Sequence, residues 1–244
     1  QGLEELVRVD IGGIRIIKKQ SLYIRPTMIG TEGFLGVREA TKYIFYIILC
    51  PVSSYYKGGL APTKIWLERK YVRASLGGLG DAKSGVNYAA SLYAYKLAKA
   101  KGASQVLWTD GLTHKYFEEV GTMNVFFRIG DEVVTPSLDD GTILEGGIRE
   151  VVISLLKKWG YKITSRKVSY EEVLKAHKEK KLIEVFGTGT AAIIAPIGEL
   201  FNEEDKLIIN DNKMGDLSTR LYNEIIDIQH GKIEDTDHFM RVVE

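Results

Sequence analysis

The run Gly77-Gly78-Leu79-Gly80-Asp81-Ala82-Lys83-Ser84-Gly85-Val86-Asn87-Tyr88 decides how this 244-residue chain is read. Glycines crowd one lysine, and a tyrosine follows it closely. Glycine takes positive φ and lets backbone come close to a flat ligand. A buried lysine sheds its charge easily and becomes a nucleophile, so Lys83 is expected to be buried and reactive. A phosphate-binding loop would need a glycine directly before the lysine; Ala82 stands there, and that motif fails. On these residues alone, a glycine-rich surface loop with a solvated lysine stays open.

Downstream of the run, Ala89, Leu92, Tyr93, Leu97 and Ala100 share one face of a helix that Gly102 would stop. Strands are expected at 105–108, 124–129 and 132–135, the last two joined as a hairpin by Gly130-Asp131. Ile148, Val151, Val152, Leu155 and Trp159 mark a second helix, ending at Gly160, and a third runs from Tyr170 to Lys180. Buried strands at 183–186 and 191–197 flank Gly187-Thr188-Gly189-Thr190, and Leu217, Leu221, Ile225 and Ile228 define a last helix.

Upstream, 65–67 and 71–74 read as strands, as do 22–29 and 43–49. The stretch 43–52 is apolar enough for a buried strand and too short to span a bilayer. Lys57-Gly58-Gly59-Leu60-Ala61-Pro62-Thr63 is turn chemistry without periodicity, so a linker is placed at 57–63, between domains 1–56 and 64–244.

Net charge is +1 with basic residues spread along the chain, which argues against a nucleic-acid partner. Cys50 is the single cysteine, so no intrachain disulfide forms; its apolar neighbours predict a buried, inert thiol and an intracellular setting. The four histidines lack ligand spacing, and no metal site is expected. No membrane segment or signal peptide is visible.

Together with Glu119-Val120-Gly121-Thr122-Met123-Asn124 and Phe186-Gly187-Thr188-Gly189-Thr190-Ala191, the lysine run resembles the branched-chain amino acid aminotransferases, fold-type IV enzymes that use pyridoxal 5'-phosphate. The resemblance implies an α/β (α+β) fold: a remnant of a small α/β domain plus a large cofactor-binding domain of mixed sheets and helices. It makes Lys83 the catalytic lysine that bonds the cofactor and shuttles a proton. Glu119 would face the pyridine nitrogen and Tyr88 the ring oxygen, with Thr122 beside the cofactor and Gly147, Ile148 and Thr190 at its phosphate. Tyr23, Arg25, Val37 and Tyr55, with Thr190 and Ala191, would meet an amino acid or 2-oxo acid substrate. Taken singly, Glu119 reads as a solvated carboxylate, Tyr88 as a core tyrosine, Gly147 as a helix cap, and the small-domain residues as packing.

The family builds its site across a homodimer, Val37 lying in a loop that reaches a neighbouring subunit, so a homodimer or larger homo-oligomer is expected. Two departures stand out. Ala192 and Ala195 replace a cysteine pair of mammalian members, which excludes a redox switch there, and Glu145 stands where proline is usual. The family's small domain extends upstream and supplies an arginine to the phosphate, so a fragment is expected. Cytoplasm and mitochondrion are not separated. D-amino acid aminotransferase, aminodeoxychorismate lyase and a catalytically impaired remnant are the alternatives carried.

Overall fold

The computed structural model describes residues 21–52 and 60–241, in two compact units, Gln1–Lys57 and Gly58–Glu244. The described part of the first unit is an antiparallel ribbon of β1 (Ser21–Gly30) and β2 (Tyr43–Val52) in unbroken register. Both strands were foreseen, but the burial of β2 was not met. Most of its residues are exposed, Cys50 included, because a two-stranded ribbon has no second layer among the described residues.

The second unit starts with β3 (Thr63–Leu67), α1 (Gly85–Ala100), β4 (Gln105–Thr109), β5 (Phe117–Val120), β6 (Met123–Ile129) and β7 (Glu132–Thr135). It continues with α2 (Gly147–Lys158), β8 (Lys162–Ser165), α3 (Tyr170–Lys178), β9 (Leu182–Gly189), β10 (Ile193–Phe201), β11 (Lys206–Ile208) and α4 (Asp216–Gln229). Its sheet runs β11-β10-β3-β4-β5-β6-β7-β8, and β9 pairs with both β10 and β6. The strands from β10 through β3, β4, β5 and β6 to β9 therefore close a ring.

Alternation along these strands builds two sides. Ile65, Leu67, Leu107, Val125, Phe127, Val185 and Ile197 join one core cluster, which α3 supports with Val173 and Ala176. The residues between them point the other way. Phe126, Phe186 and Ile194 meet Val152, Leu155 and Leu156 of α2 and Leu217, Leu221 and Ile225 of α4. Trp66, Val106 and Trp108 meet Ala94 and Ala98 of α1.

Three expectations are corrected here. Residues 71–74 form no strand; they begin an irregular segment leading to the lysine. The α1 helix exists, but it buries Asn87, Ser91, Ala94 and Ala98, while Leu92, Tyr93 and Leu97 are exposed. Two tryptophans already fill the space beneath it, so only small side chains fit between. Finally β10 begins at Ile193, leaving Ala191 in the preceding turn.

Candidate active site

The segment from Ser75 to Ser84 is a folded loop. Gly78 N–H donates to Ser75 O and Ala82 N–H to Leu79 O, each at 3.0 Å. The Asn87 side chain, buried on the first turn of α1, donates back to Leu79 O at 2.6 Å and Ala82 O at 2.9 Å. Gly80 is needed for a close approach, since a Cβ there would lie 2.5 Å from Thr142 O. That approach is to backbone of this chain, where the sequence pointed to a ligand.

Ser84 caps α1, and its side chain accepts from Val86 N–H. This turn into the helix brings Lys83 Nζ to 3.1 Å from the Tyr88 hydroxyl. The expected burial of Lys83 is not met: it is exposed, and Tyr88 is partly so. The loop lays Gly80 against Thr142 and leaves the lysine exposed.

Glu119, at the middle of β5, is 4% exposed. Leu144 N–H donates to its Oε1 at 2.9 Å, and Arg73 Nε lies 3.5 Å from its Oε2. Burial raises its carboxyl above the ordinary value, and Arg73, the Leu144 amide and the charge of Lys83 oppose that rise. Asn124 sits across the β5–β6 turn from Glu119 and donates through Nδ2 to Leu144 O at 2.8 Å. Leu144 is thus gripped at both its N–H and its C=O, which fixes the chain just before α2. Gly146 completes the fit, because a Cβ there would fall 2.1 Å from Asn124 Oδ1.

The N-terminus of α2 has no side-chain cap. A cleft of about 230 Å³ at this end is lined by Gly147, Ile148, Val151, Thr190, Ile225 and Phe239, among others. Unpaired helix-start amides and the helix dipole favour an anion. Gly147, Ile148 and Thr190 are therefore brought together, although Thr190 belongs to the distant β9–β10 turn. Thr122 and Ala191 are exposed on turns. In the first unit Arg25 Nη2 donates to the Tyr23 hydroxyl at 3.2 Å, and Val37 is fully exposed. Tyr55 lies outside the described residues.

Sequence reasoning missed Arg73, Glu118 and Asp110. Arg73 is 7% exposed, with Nη2 donating to Gly80 O and Thr142 O. Glu118 and Asp110 line a second cleft of about 250 Å³ with Ser75, Tyr116, Thr142 and Lys167. Burial pushes the Glu118 carboxyl up to about 7 against the Thr142 side chain and Arg73. Burial also pushes Asp110 up, but the Tyr116, Thr113 and Lys115 amides outweigh it and hold Asp110 at about 2. Among the described residues no cluster of three or more His, Cys, Asp or Glu could hold a metal, and no helix is long and apolar enough to cross a membrane.

The family model for class IV amino-transferases matches residues 13–200. Branched-chain-amino-acid aminotransferase 2 of Bacillus subtilis (strain 168) is 51% identical over 235 residues, which are 96% of this chain and 64% of that protein. The chain thus spans about two thirds of the length of that relative. The crystal structure of a branched-chain amino acid aminotransferase from Escherichia coli shares the fold, with a TM-score of 0.76 at 23% identity, covering 91% of this chain and 70% of that one. A Thermoproteus uzoniensis branched-chain aminotransferase solved with norvaline gives 0.72 at 27% identity, over 87% of this chain and 66% of that one.

Proposed function

Because the chain belongs to the class IV aminotransferases, we propose that it is a branched-chain amino acid aminotransferase. It would move an amino group between leucine, isoleucine or valine and 2-oxoglutarate by a ping-pong route, with pyridoxal 5'-phosphate as cofactor. The observation that carries this is the Lys83 amine held 3.1 Å from the Tyr88 hydroxyl, within the electrostatic reach of the buried Glu119. Relatives such as the Bacillus subtilis protein support the substrate class.

The residues suit the cofactor. An amine, a phenol, a buried carboxyl and an uncapped helix N-terminus are the four groups its aldehyde, ring oxygen, ring nitrogen and phosphate require. Nothing lies within 4 Å of the position a Cβ would take on Gly147, so an anion has room to reach the α2 amides. When bound, the cofactor supplies an electron sink for the charge left at the substrate α-carbon. Lys83 would take the proton from that carbon and return it on the cofactor side. Tyr88 would donate to the ring oxygen, Glu119 would serve the ring nitrogen with Thr122 nearby, and the Gly147 and Ile148 amides with the Thr190 hydroxyl would hold the phosphate.

Substrate contacts through Tyr23, Arg25, Val37, Thr190 and Ala191 belong to the same proposal, as does assembly into a homodimer or larger homo-oligomer. Borohydride reduction of the cofactor-treated protein, followed by peptide mapping, should label Lys83, and leucine added beforehand should shift the cofactor absorbance. A label on another lysine, or no response to leucine but one to a D-amino acid, would overturn the reading.

A further inference from the structure

Neither the motifs nor the chemistry just described uses Arg73. It lies between β3 and α1, in the irregular segment leading to the lysine. Its guanidinium meets three segments at once. Nε lies 3.5 Å from Glu119 Oε2 on β5, and Nη2 points at Gly80 O of the lysine loop and at Thr142 O of the chain leading into α2. Two residues after Thr142, the Leu144 amide donates to the other Glu119 oxygen at 2.9 Å. The carboxylate is therefore held from both sides, by a charge on Oε2 and a backbone donor on Oε1. Both Arg73 and Glu119 side chains are 5% exposed.

Water cannot do this work at such burial. An isolated buried carboxyl takes up a proton rather than remain charged. A neutral acid beside a ring nitrogen no longer anchors positive charge there. Lys83 also acts on Glu119, but it is exposed and so more strongly screened. Glu118, the neighbour on β5, also feels Arg73, and the charge of Glu119 helps to raise the Glu118 carboxyl.

We propose that Arg73 is a positioning residue: its guanidinium keeps Glu119 ionised and fixes the direction in which that carboxylate meets the pyridine nitrogen. The second half rests on the aminotransferase reading; the first does not. A purely structural role, bridging the Gly80 and Thr142 loops, makes a different forecast, and charge separates the two. Arg73→Gln keeps an amide donor for the loop carbonyls but loses the cation, whereas Arg73→Lys keeps the cation.

The test is a carbon-13 NMR titration of glutamate carboxyls in the cofactor-free protein. All variants carry Glu118→Gln, and Glu119 is assigned by the signal that Glu119→Gln removes. Arg73→Gln should raise the Glu119 midpoint by about one to three pH units, a ten- to thousandfold gain in proton affinity, while Arg73→Lys stays close to the parent. Cofactor affinity of the Gln variant should then recover as pH rises through its new midpoint. Equal midpoints in the parent and both variants, or equal shifts in both, would overturn the proposal. The parent protein gives a second reading that needs no Arg73 variant. Its Arg73 Nε signal should move with the Glu119 midpoint and lose that movement in Glu119→Gln, and a signal blind to Glu119 would also overturn it. A parent that binds no cofactor while the titrations behave as expected would sink the aminotransferase reading alone.

Discussion

The floor and the rim of the candidate site are built in opposite ways. The floor is Arg73, Glu119 and Asn124, all buried and tied to backbone of other segments. The rim is Lys83, Tyr88 and Thr190, all exposed, with the Lys83–Tyr88 contact as its own link. On the proposed function, the groups that would keep one charge are those locked in the dry part. The group that would swing between two partners stands in the open. Preorganised charge costs nothing to rearrange during a reaction, while a proton shuttle has to move.

The rim should break first and most completely. Lys83→Ala is expected to remove the cofactor-bound absorbance and lower leucine turnover by at least about a hundred- to ten-thousandfold, the span general acid–base transfer supplies. Thermal stability should barely change, because the side chain is exposed. Turnover within tenfold of the parent would show that the open lysine is not the working amine.

Next comes the floor. Glu119→Gln keeps the shape and the Leu144 donation but loses the charge, so cofactor should still be held through Lys83, with lower affinity than in the parent. The half-reaction with leucine should slow by about a hundred- to a thousandfold, the usual loss for one preorganised electrostatic group. Single-turnover spectra read the two effects apart. Unchanged half-reaction rates would remove Glu119 from the chemistry and leave it as a buried structural acid.

The contrast also marks what the sequence disclosed. Lys83, Tyr88, Gly147, Ile148 and Thr190 sit on turns and helix starts, where the family resemblance singles them out, and the fold pairs Lys83 with Tyr88 and brings Gly147, Ile148 and Thr190 to one cleft. The hairpin at Gly130-Asp131 and the apolar faces of α2 and α4 were legible for the same reason: turn chemistry and periodicity are local. Arg73 was not, because residues 71–74 read as a strand and its partners lie on Gly80, Glu119 and Thr142. β5 was hidden by its own composition, Phe-Glu-Glu-Val, in which two buried acids break an apolar pattern. The inward face of α1 is set by Trp66 and Trp108 on other elements, which no helical wheel contains.

Between floor and rim lies Gly80, and its substitution tests whether the two are mechanically joined. A Cβ there meets three Thr142 backbone atoms at 2.5 to 2.7 Å, and backbone cannot give way as a side-chain tip can. Gly80→Ala should cost about 1–3 kcal/mol of stability, typical of overpacking, and weaken cofactor binding by moving Lys83 relative to Glu119. Calorimetry and a cofactor titration give the two readings. A stability loss without weaker binding would mean the lysine loop adjusts independently of the floor.

The smallest effect expected belongs to Glu118, the floor's unused acid, and its sign follows from linkage. Its carboxyl titrates near 7 when folded, against 4.5 as the reference for an unburied glutamate. Between those values the folded chain holds a proton that the unfolded chain has released, so folding is favoured at the acid end and loses stability as pH rises through 7. For a folded value near 7 the loss between about pH 6 and about pH 8 amounts to about 1.4 kcal/mol, one pKa unit's worth. Glu118→Gln removes the titrating group, so its stability relative to the parent should climb by that amount over the same interval. Urea denaturation at the two pH values measures the difference directly. A parallel pH dependence in parent and variant would show that Glu118 is hydrated and ionised throughout, and that the dry floor ends at Glu119.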